Sequence, residues 1–402
     1  MAKGNETEQI TALENAVKTS LPEVTGWFEH LHAHPELSFK EFETTEYLRA
    51  TLANLPGIEI RQPCETGLIG VLRGAHEGPI IALRADIDAL NLQELADVPY
   101  RSQNKDVMHA CGHDMHTACL LGAAKILSGL QGQLHGTVYF MFQAAEEQHP
   151  GGALDIIKSG ALDGVKYTFG QHLIPSIPTG VVAFKYDTIL GASDRFELKI
   201  QGKGGHAAFP NLAVDPVVIA AEIIMALQTV VSRKTNQQYN PVISVTMVNT
   251  PPGADNVIPD SIRLTASVRN LDAEVREEAV RWMRQLTEGI AAAHGATAEF
   301  NYKYGYDPLI NDEAPTEIAI AAAKEFLSPP QVVILKDPIP AGEDFGYYGQ
   351  ISEICFYAIG TGDPEKGTNV SPHSPRYKAD LASMYYGIMM YVNIINKLLI
   401  ES

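Results

Sequence analysis

The sequence predicts an α/β protein: a discontinuous domain on a mixed, largely parallel sheet, with a smaller α+β domain inserted into it. Three observations carry this expectation. The chain has 402 residues, more than one hydrophobic core usually organises, so two domains are the default. Its N-terminal third and C-terminal quarter alternate apolar strand-like runs with helical patterns, the signature of a parallel sheet covered by helices. From Gly191 the pattern changes to strand, helix, strand, strand, helix, a compact α+β unit. The expected boundaries are 1–190 and 304–402 for the first domain and 191–303 for the second.

In chain order, "PIIALRAD" (Pro79–Asp86), "GTVYFMFQAAEE" (Gly136–Glu147), "GVKYTFGQH" (Gly164–His172) and "ICFYAIGTG" (Ile354–Gly362) read as buried strands. Between the first two, "HTACLLGAAKILSGL" has helical spacing and stops at glycines. In the inserted unit, "RFELKIQG" is a strand and Asp215–Arg233 a helix. "PVISVTMVN" and "SIRLTASVRN" then form two strands, and the segment from Ala273 to Gly295 a second helix.

Composition narrows the function. The formal net charge is −18, which repels nucleic-acid phosphates and anionic lipid, so neither is an expected partner. No run reaches the roughly 18 uninterrupted apolar residues of a membrane span. The first ten residues lack the apolar stretch of a secretory signal. Four scattered cysteines, Cys64, Cys111, Cys119 and Cys355, make no disulfide framework. A reducing cytoplasm is the expected location.

The chemistry collects where strands end. "RADID" follows the first strand, Glu146–Glu147 the second and His172 the third. Parallel sheets build their sites at carboxyl ends, so these groups are expected to converge. "MHACGHDMHTA" (Met108–Ala118) adds three histidines and a cysteine. His109, Cys111 and His113 alternate, so an extended backbone would aim all three to one side. Thiolate and imidazole suit zinc and similar ions, carboxylates add oxygen donors, and the spacing fits no closed zinc finger. On an extended backbone, neighbouring glutamates point in opposite directions. One can then bind metal while the other serves as a base toward water, and spacing leaves open which does which. The reaction class is metal-assisted hydrolysis.

Motifs extend this reading along the whole chain. They comprise "HLHAHPELSF" (His30–Phe39), "ALRADIDAL" (Ala82–Leu90), "MHACGHDMHTA", "FQAAEE" (Phe142–Glu147) and "FGQHLIP" (Phe169–Pro175). "GKGGHAAFP" (Gly202–Pro210), "DNVIPD" (Asp255–Asp260), "AGEDF" (Ala341–Phe345) and "HSPRY" (His373–Tyr377) follow. In this order the chain resembles the metal-dependent amidohydrolases that include hippurate hydrolase, N-acyl-amino-acid amidohydrolases and plant indole-acetyl-amino-acid hydrolases. These are relatives of the aminoacylase and glutamate carboxypeptidase group.

The resemblance implies a metallo-exopeptidase-like catalytic domain with an inserted lid and dimerisation domain. It implies two divalent ions per subunit, Zn²⁺ or Mn²⁺ foremost and Co²⁺ or Ni²⁺ as alternatives, held by Cys111, His113, Glu147, His172 and His373, with Cys111 as the candidate bridge and a water or hydroxide as the alternative. Glu146 would be the general base and Asp88 the support of a ligand. His206, on the lid, would polarise the scissile carbonyl in the partner subunit of a homodimer. Asn256 and Arg269 would hold the substrate carboxylate; the competing role for Arg269 is a strand-surface ion pair.

His30, His32 and His34 also cluster, and we read them as structural and surface residues. Asp114 reads as an indirect support of the site, and His109 and His116 as supporting or structural. Asn91, Ala144, Gln148 and Asn211 depart from the family pattern near the pocket or lid without removing a ligand. The expected reaction is hydrolysis of the amide of a small-molecule N-acyl amino acid to a carboxylic acid and a free amino acid. The rivals are a dipeptidase or carboxypeptidase on the same binuclear site, and a non-catalytic metal-binding protein.

Overall fold

A computed structural model describes residues 2–401. The chain divides into two compact units, one comprising residues 1–189, 310–337 and 344–402, the other residues 190–309 and 338–343.

The first unit is α/β, as expected. Its strands are β1 (Ile58–Arg61), β2 (Leu68–Arg73), β3 (His76–Asp86), β4 (His135–Gln143), β5 (Val165–Pro178), β6 (Val182–Phe184), β7 (Val332–Ile334) and β8 (Glu353–Gly362). They form one sheet in the order β1-β2-β4-β3-β5-β8-β6-β7. The centre is parallel, β4 with β3, β3 with β5 and β5 with β8, whereas β1–β2, β2–β4 and β8–β6 run antiparallel. Strands buried on both faces explain the unbroken apolar runs in the sequence: Ile81, Ala82 and Leu83 of β3 and Phe140, Met141 and Phe142 of β4 are fully enclosed.

Helices cover this sheet: α1 (Ala2–Ala33), α2 (Phe42–Ala53), α3 (His113–Ser128), α4 (Ala153–Lys158), α5 (Glu313–Phe326) and α6 (Ser383–Leu399). Helix α3 is buried along nearly its whole length, which explains its small and apolar composition. A Cβ on Gly122 would come within 2.8 Å of the Ile388 side chain of α6, so the absence of a side chain there sets how closely these helices approach. Val24, Leu83, Leu121, Phe140, Phe169 and Ile388 share one core, each contributing about 1.5–3 kcal/mol by burial.

The second unit is a four-stranded antiparallel sheet covered by helices. Its strand order is Val242–Asn249, Ser261–Asn270, Ala192–Gln201, Thr297–Tyr306. Asp215 and Asp272 cap the helices Pro216–Thr229 and Ala273–Ala293 by accepting from Val217 and Val275 N–H, both at 2.9 Å. Phe196, Leu198, Ile223, Leu264 and Met283 form its core. Among the described residues one helical segment, Pro216–Lys234, is long and apolar enough to cross a membrane by length and composition, although Glu222, Gln228 and Arg233 interrupt its apolar run. Its Ile219, Ile223 and Leu227 are enclosed in this unit's own core.

Candidate metal centre

The site is built at the carboxyl ends of the central strands. Asp86 ends β3 opposite Gln143, which ends β4, and the Ile87 N–H donates to the Gln143 carbonyl at 2.9 Å. Below it lies a buried polar network. Arg84 donates to Asp86 at 2.7 Å, to Gln143 at 2.9 Å and to Asp344 at 2.9 Å, and all four side chains are enclosed. A lone buried guanidinium would be prohibitive, so the two carboxylates are a condition of its presence.

The segment after β3 places the first ligand candidates. Extended alternation through His109, Cys111 and His113 does not hold. Gly112 is left-handed, with φ +92°, and helix α3 begins at His113. The turn presents Cys111 and His113 together and leaves His109 behind, buried and with neither ring nitrogen hydrogen-bonded. A side chain at Gly112 would also strike the Tyr377 hydroxyl, 2.7 Å from an ideal Cβ. His116 is committed elsewhere: Nδ1 bonds Asp86 at 2.6 Å and Nε2 accepts from the Leu173 N–H at 3.0 Å.

The glutamates also sit differently from the extended arrangement expected. Strand β4 stops at Gln143, and Ala145 adopts φ +58°, so Glu146 and Glu147 occupy a turn. A non-glycine residue in this region is strained. His373 shares that feature, with φ +61°, and its N–H donates to the Ala110 carbonyl at 2.8 Å. Strand β5 does not end at His172 but runs through it to Pro178.

These elements bring five side chains together. Cys111, His113 and His172 form one three-donor group and Cys111, Glu147 and His373 another, with donor atoms within 4.8 Å of one another in each. Cys111 belongs to both. Its Sγ lies 3.4 Å from His172 Nε2, and Glu147 Oε1 lies 3.1 Å from His373 Nε2. Glu146 and Glu147 each approach His113 Nε2 at 3.9 Å.

The ring orientations fit a cation. His113 donates from Nδ1 to the Asp88 carbonyl and carboxylate, at 3.0 and 3.1 Å. His172 donates from Nδ1 to the Leu173 carbonyl at 2.8 Å. Each ring therefore turns Nε2 toward the donor cluster, as outer hydrogen bonds commonly fix a ligating histidine. His113 Nε2 and Glu147 Oε1 are enclosed atoms without a hydrogen bond; the Glu147–His373 contact has the distance of an ion pair but not hydrogen-bond geometry. Orphaned donors of imidazole, thiol and carboxylate type suit divalent ions of intermediate softness.

Electrostatics agree. Burial, then the Glu147 and Glu146 carboxylates, push the Cys111 thiol well above its ordinary range. Burial opposes charge on His113, but Asp86 and Asp88 outweigh it and raise the ring to about 10. Burial and the neighbouring His116 lower His172 to about 3. The neighbouring Glu147 carboxylate raises His373. Binding a cation to this cluster must therefore expel protons from Cys111 and His113.

Asp88 meets two of the candidate ligands. Besides His113, its carboxylate accepts from the Glu147 N–H at 2.9 Å and from Ser38 Oγ at 2.6 Å. Asp114 and His32 take a structural part: His32 bonds Asp114 at 2.6 Å and Glu94 at 3.1 Å inside the protein. His30 and His34 stack on each other nearer the surface.

The remaining site residues of the sequence reading lie in the second unit. His206 and Asn256 are neighbours across a two-stranded ribbon, where Gly205–His206 pairs with Val257–Ile258 and the Ala207 N–H donates to the Asn256 carbonyl at 3.0 Å. Both are exposed. Arg269 sits apart from them on the strand Ser261–Asn270, paired with Ser193 and Val242. The ion pair weighed for Arg269 does not form: its guanidinium bonds the Ser267 hydroxyl and the Val268 carbonyl and meets no carboxylate among the described residues.

The profile described as "Peptidase family M20/M25/M40" matches residues 82–397. The chain belongs to that peptidase family. Among its relatives, an N-acetyl-L-cysteine deacetylase of Bacillus subtilis (strain 168) is 42% identical over 365 residues, spanning 89% of this chain and 85% of the relative. An N-acyl-L-amino acid amidohydrolase of Geobacillus stearothermophilus is 41% identical over 304 residues, 76% of this chain and 81% of the relative. A crystal structure of a dinuclear metal-binding M20 peptidase from Bacillus subtilis superposes with a TM-score of 0.81 at 34% identity, covering 95% of this chain and 99% of that one. The M20 protein is thus a hydrolase.

The residues that sequence reasoning missed are Arg84, Gln143, Ser38 and Glu41, the last an enclosed carboxylate that accepts from the Ala145 N–H at 2.8 Å. Their signal is confined to their position inside apolar or loop segments, where a polar side chain needs a partner that sequence distance conceals.

Proposed function

We propose that this M20 enzyme hydrolyses the amide bond of N-acyl amino acids, releasing a carboxylic acid and the free amino acid. The observation that carries the reading is the pair of three-donor groups sharing Cys111, with the Glu146 carboxylate beside them. Cys111, His113, Glu147, His172 and His373 would hold two divalent ions, Zn²⁺ or Mn²⁺ foremost. Bound there, such ions polarise an amide carbonyl and acidify water.

The protein groups do the rest. Glu146 is enclosed to 6% exposure, so its carboxylate is shielded from bulk water while facing the cluster. It takes the proton from the attacking water and delivers it to the leaving nitrogen. Asp88 keeps His113 and Glu147 in register. Arg269, half-buried and without a carboxylate of its own, suits the substrate carboxylate, while Asn256 stands beside His206 on the ribbon. His206 donates to the developing oxyanion from the partner copy of a homodimer. The dimer reading is supported by the second unit's edge strand Val242–Asn249 and by the exposed Val217, Val218 and Met225 of its helix, an unpartnered edge and apolar face that a second copy would cover. The four cysteines are free thiols, in keeping with a cytoplasmic location.

The test is a panel of N-acetyl, N-benzoyl and longer N-acyl amino acids, with dipeptides alongside, assayed on protein stripped of metal and reloaded with one ion at a time. Glu146→Gln should keep full metal content and lose about 10²–10⁴-fold in kcat. Bound metal with no turnover on any panel member, or a Glu146→Gln variant of near-parental activity, overturns the proposal.

A further inference from the structure

The turn that carries Glu146 is held from a second side by a residue outside the metal cluster. Glu41 opens helix α2 as its N-cap, yet its side chain makes no capping bond to that helix. It is wholly enclosed instead, and its Oε1 accepts from the Ala145 N–H at 2.8 Å. Ala145 is itself enclosed and has φ +58°. Two residues on, the Glu147 N–H ends on Asp88 Oδ2 at 2.9 Å. The amides on both sides of Glu146 thus end on buried carboxylates 47 positions apart in sequence, Glu41 and Asp88.

The chemistry requires an anchor at this point. A β-carbon in left-handed backbone is disfavoured and persists only where the surroundings dictate it. An enclosed N–H left without an acceptor is also costly. Removing the Glu41 acceptor would add the second penalty to the first. Rotation of Ala145 toward an ordinary φ then relieves both and swings the Glu146 side chain away from the cluster.

We propose that Glu41 is a positioning residue: its carboxylate locks the Ala145–Glu147 turn and thereby aims Glu146 at the reacting water. This rests on the assignment of Glu146 as base. A misplacement near 1 Å of a reacting group costs on the order of 10²-fold in rate.

The experiment compares Glu41→Ala, Glu41→Gln, Glu41→Ala/Ala145→Gly and Glu146→Gln in metal-loaded enzyme. Each is read by kcat, KM, metal content and hydrogen exchange of the 143–148 segment. Glu41→Ala should lower kcat about 10- to 100-fold, leave KM within about threefold and metal stoichiometry unchanged, and speed exchange at Ala145. Glu41→Gln retains an acceptor oxygen and should return kcat to within about threefold of parent. Ala145→Gly removes the cost of the left-handed backbone and should restore part of what Glu41→Ala loses. If Glu41→Ala yields no soluble protein, Glu41→Met fills the volume without a strong acceptor and carries the same expectation.

A kcat within threefold of parent in Glu41→Ala or Glu41→Met, with Glu146→Gln inactive, overturns this inference alone. So does a folded Glu41→Gln as impaired as the variant lacking an acceptor, because charge would then matter and not the hydrogen bond. An active Glu146→Gln overturns the base assignment and this inference with it.

Discussion

Replacing Asp88 by asparagine should weaken metal binding about 30-fold, and the size follows from its hydrogen bonds. The carboxylate receives three donors: His113 Nδ1–H at 3.1 Å on one oxygen, Ser38 O–H at 2.6 Å and Glu147 N–H at 2.9 Å on the other. Asparagine is isosteric, but one of its two positions becomes an NH₂ group. Turned toward His113, the amide opposes an N–H that keeps only the Asp88 backbone carbonyl, at 3.0 Å. Turned the other way, it opposes the Glu147 N–H, which cannot rotate, while the Ser38 hydroxyl can. Either orientation sacrifices one buried, charge-assisted bond of about 1.5–3 kcal/mol. About 2 kcal/mol corresponds to a ~30-fold change in affinity, within the 10- to 100-fold range typical of residues that orient metal ligands.

The assay is competition with a chromophoric chelator at fixed pH, and the metal-induced rise in melting temperature gives an independent reading. Ser38→Ala serves as the comparison, because it leaves both ligand contacts of Asp88 in place. An Asp88→Asn dissociation constant within threefold of parent would refute the argument that Asp88 orders the ligands.

Two further expectations concern pH and specificity. For His32, burial opposes charge, but hydrogen bonds to Asp114 and Glu94 outweigh it and raise the ring from 6.5 to about 9. The folded value lies above the unfolded one, so its contribution is complete below about pH 6.5 and disappears as pH rises through 9, a change of about 3 kcal/mol. The stability advantage of parent over His32→Gln should shrink by that amount across this window in denaturant titrations, and a constant difference would exclude the linkage. Arg269→Met should raise KM for N-acyl amino acids about 10- to 100-fold, the worth of a charged hydrogen bond, and spare substrates whose carboxylate is amidated. Equal KM changes for both substrate types would remove Arg269 from the carboxylate site.

Several features were legible because they are local. Unbroken apolar runs mark strands enclosed on both faces, and β3, β4, β5 and β8 lie where those runs stand. The sites where the runs stop carry Asp88, Glu146 and Glu147, which follows from the geometry of parallel strands. His172 was placed at a strand end and in fact lies within β5, since polar residues at a sheet rim need not interrupt its hydrogen bonding. The glutamate turn was hidden for a different reason: alanine at 145 gives no hint of φ +58°, a conformation whose N–H is met by Glu41, 104 residues earlier in the chain.

The histidines draw the boundary between sequence and structure most sharply. Residue types and spacing by themselves determine the α/β class, the family, and a set of soft and hard donors suited to metal-assisted hydrolysis. They do not decide which rings face the cation. His109, His113 and His116 are equivalent by type, but a left-handed Gly112 separates the first from the second, and Asp86 with the Leu173 N–H consumes both nitrogens of the third. His113 keeps Nε2 unengaged because Asp88, 25 residues earlier, takes its Nδ1–H. A histidine's role is set by which of its two nitrogens is already occupied, and that depends on partners only the tertiary structure supplies.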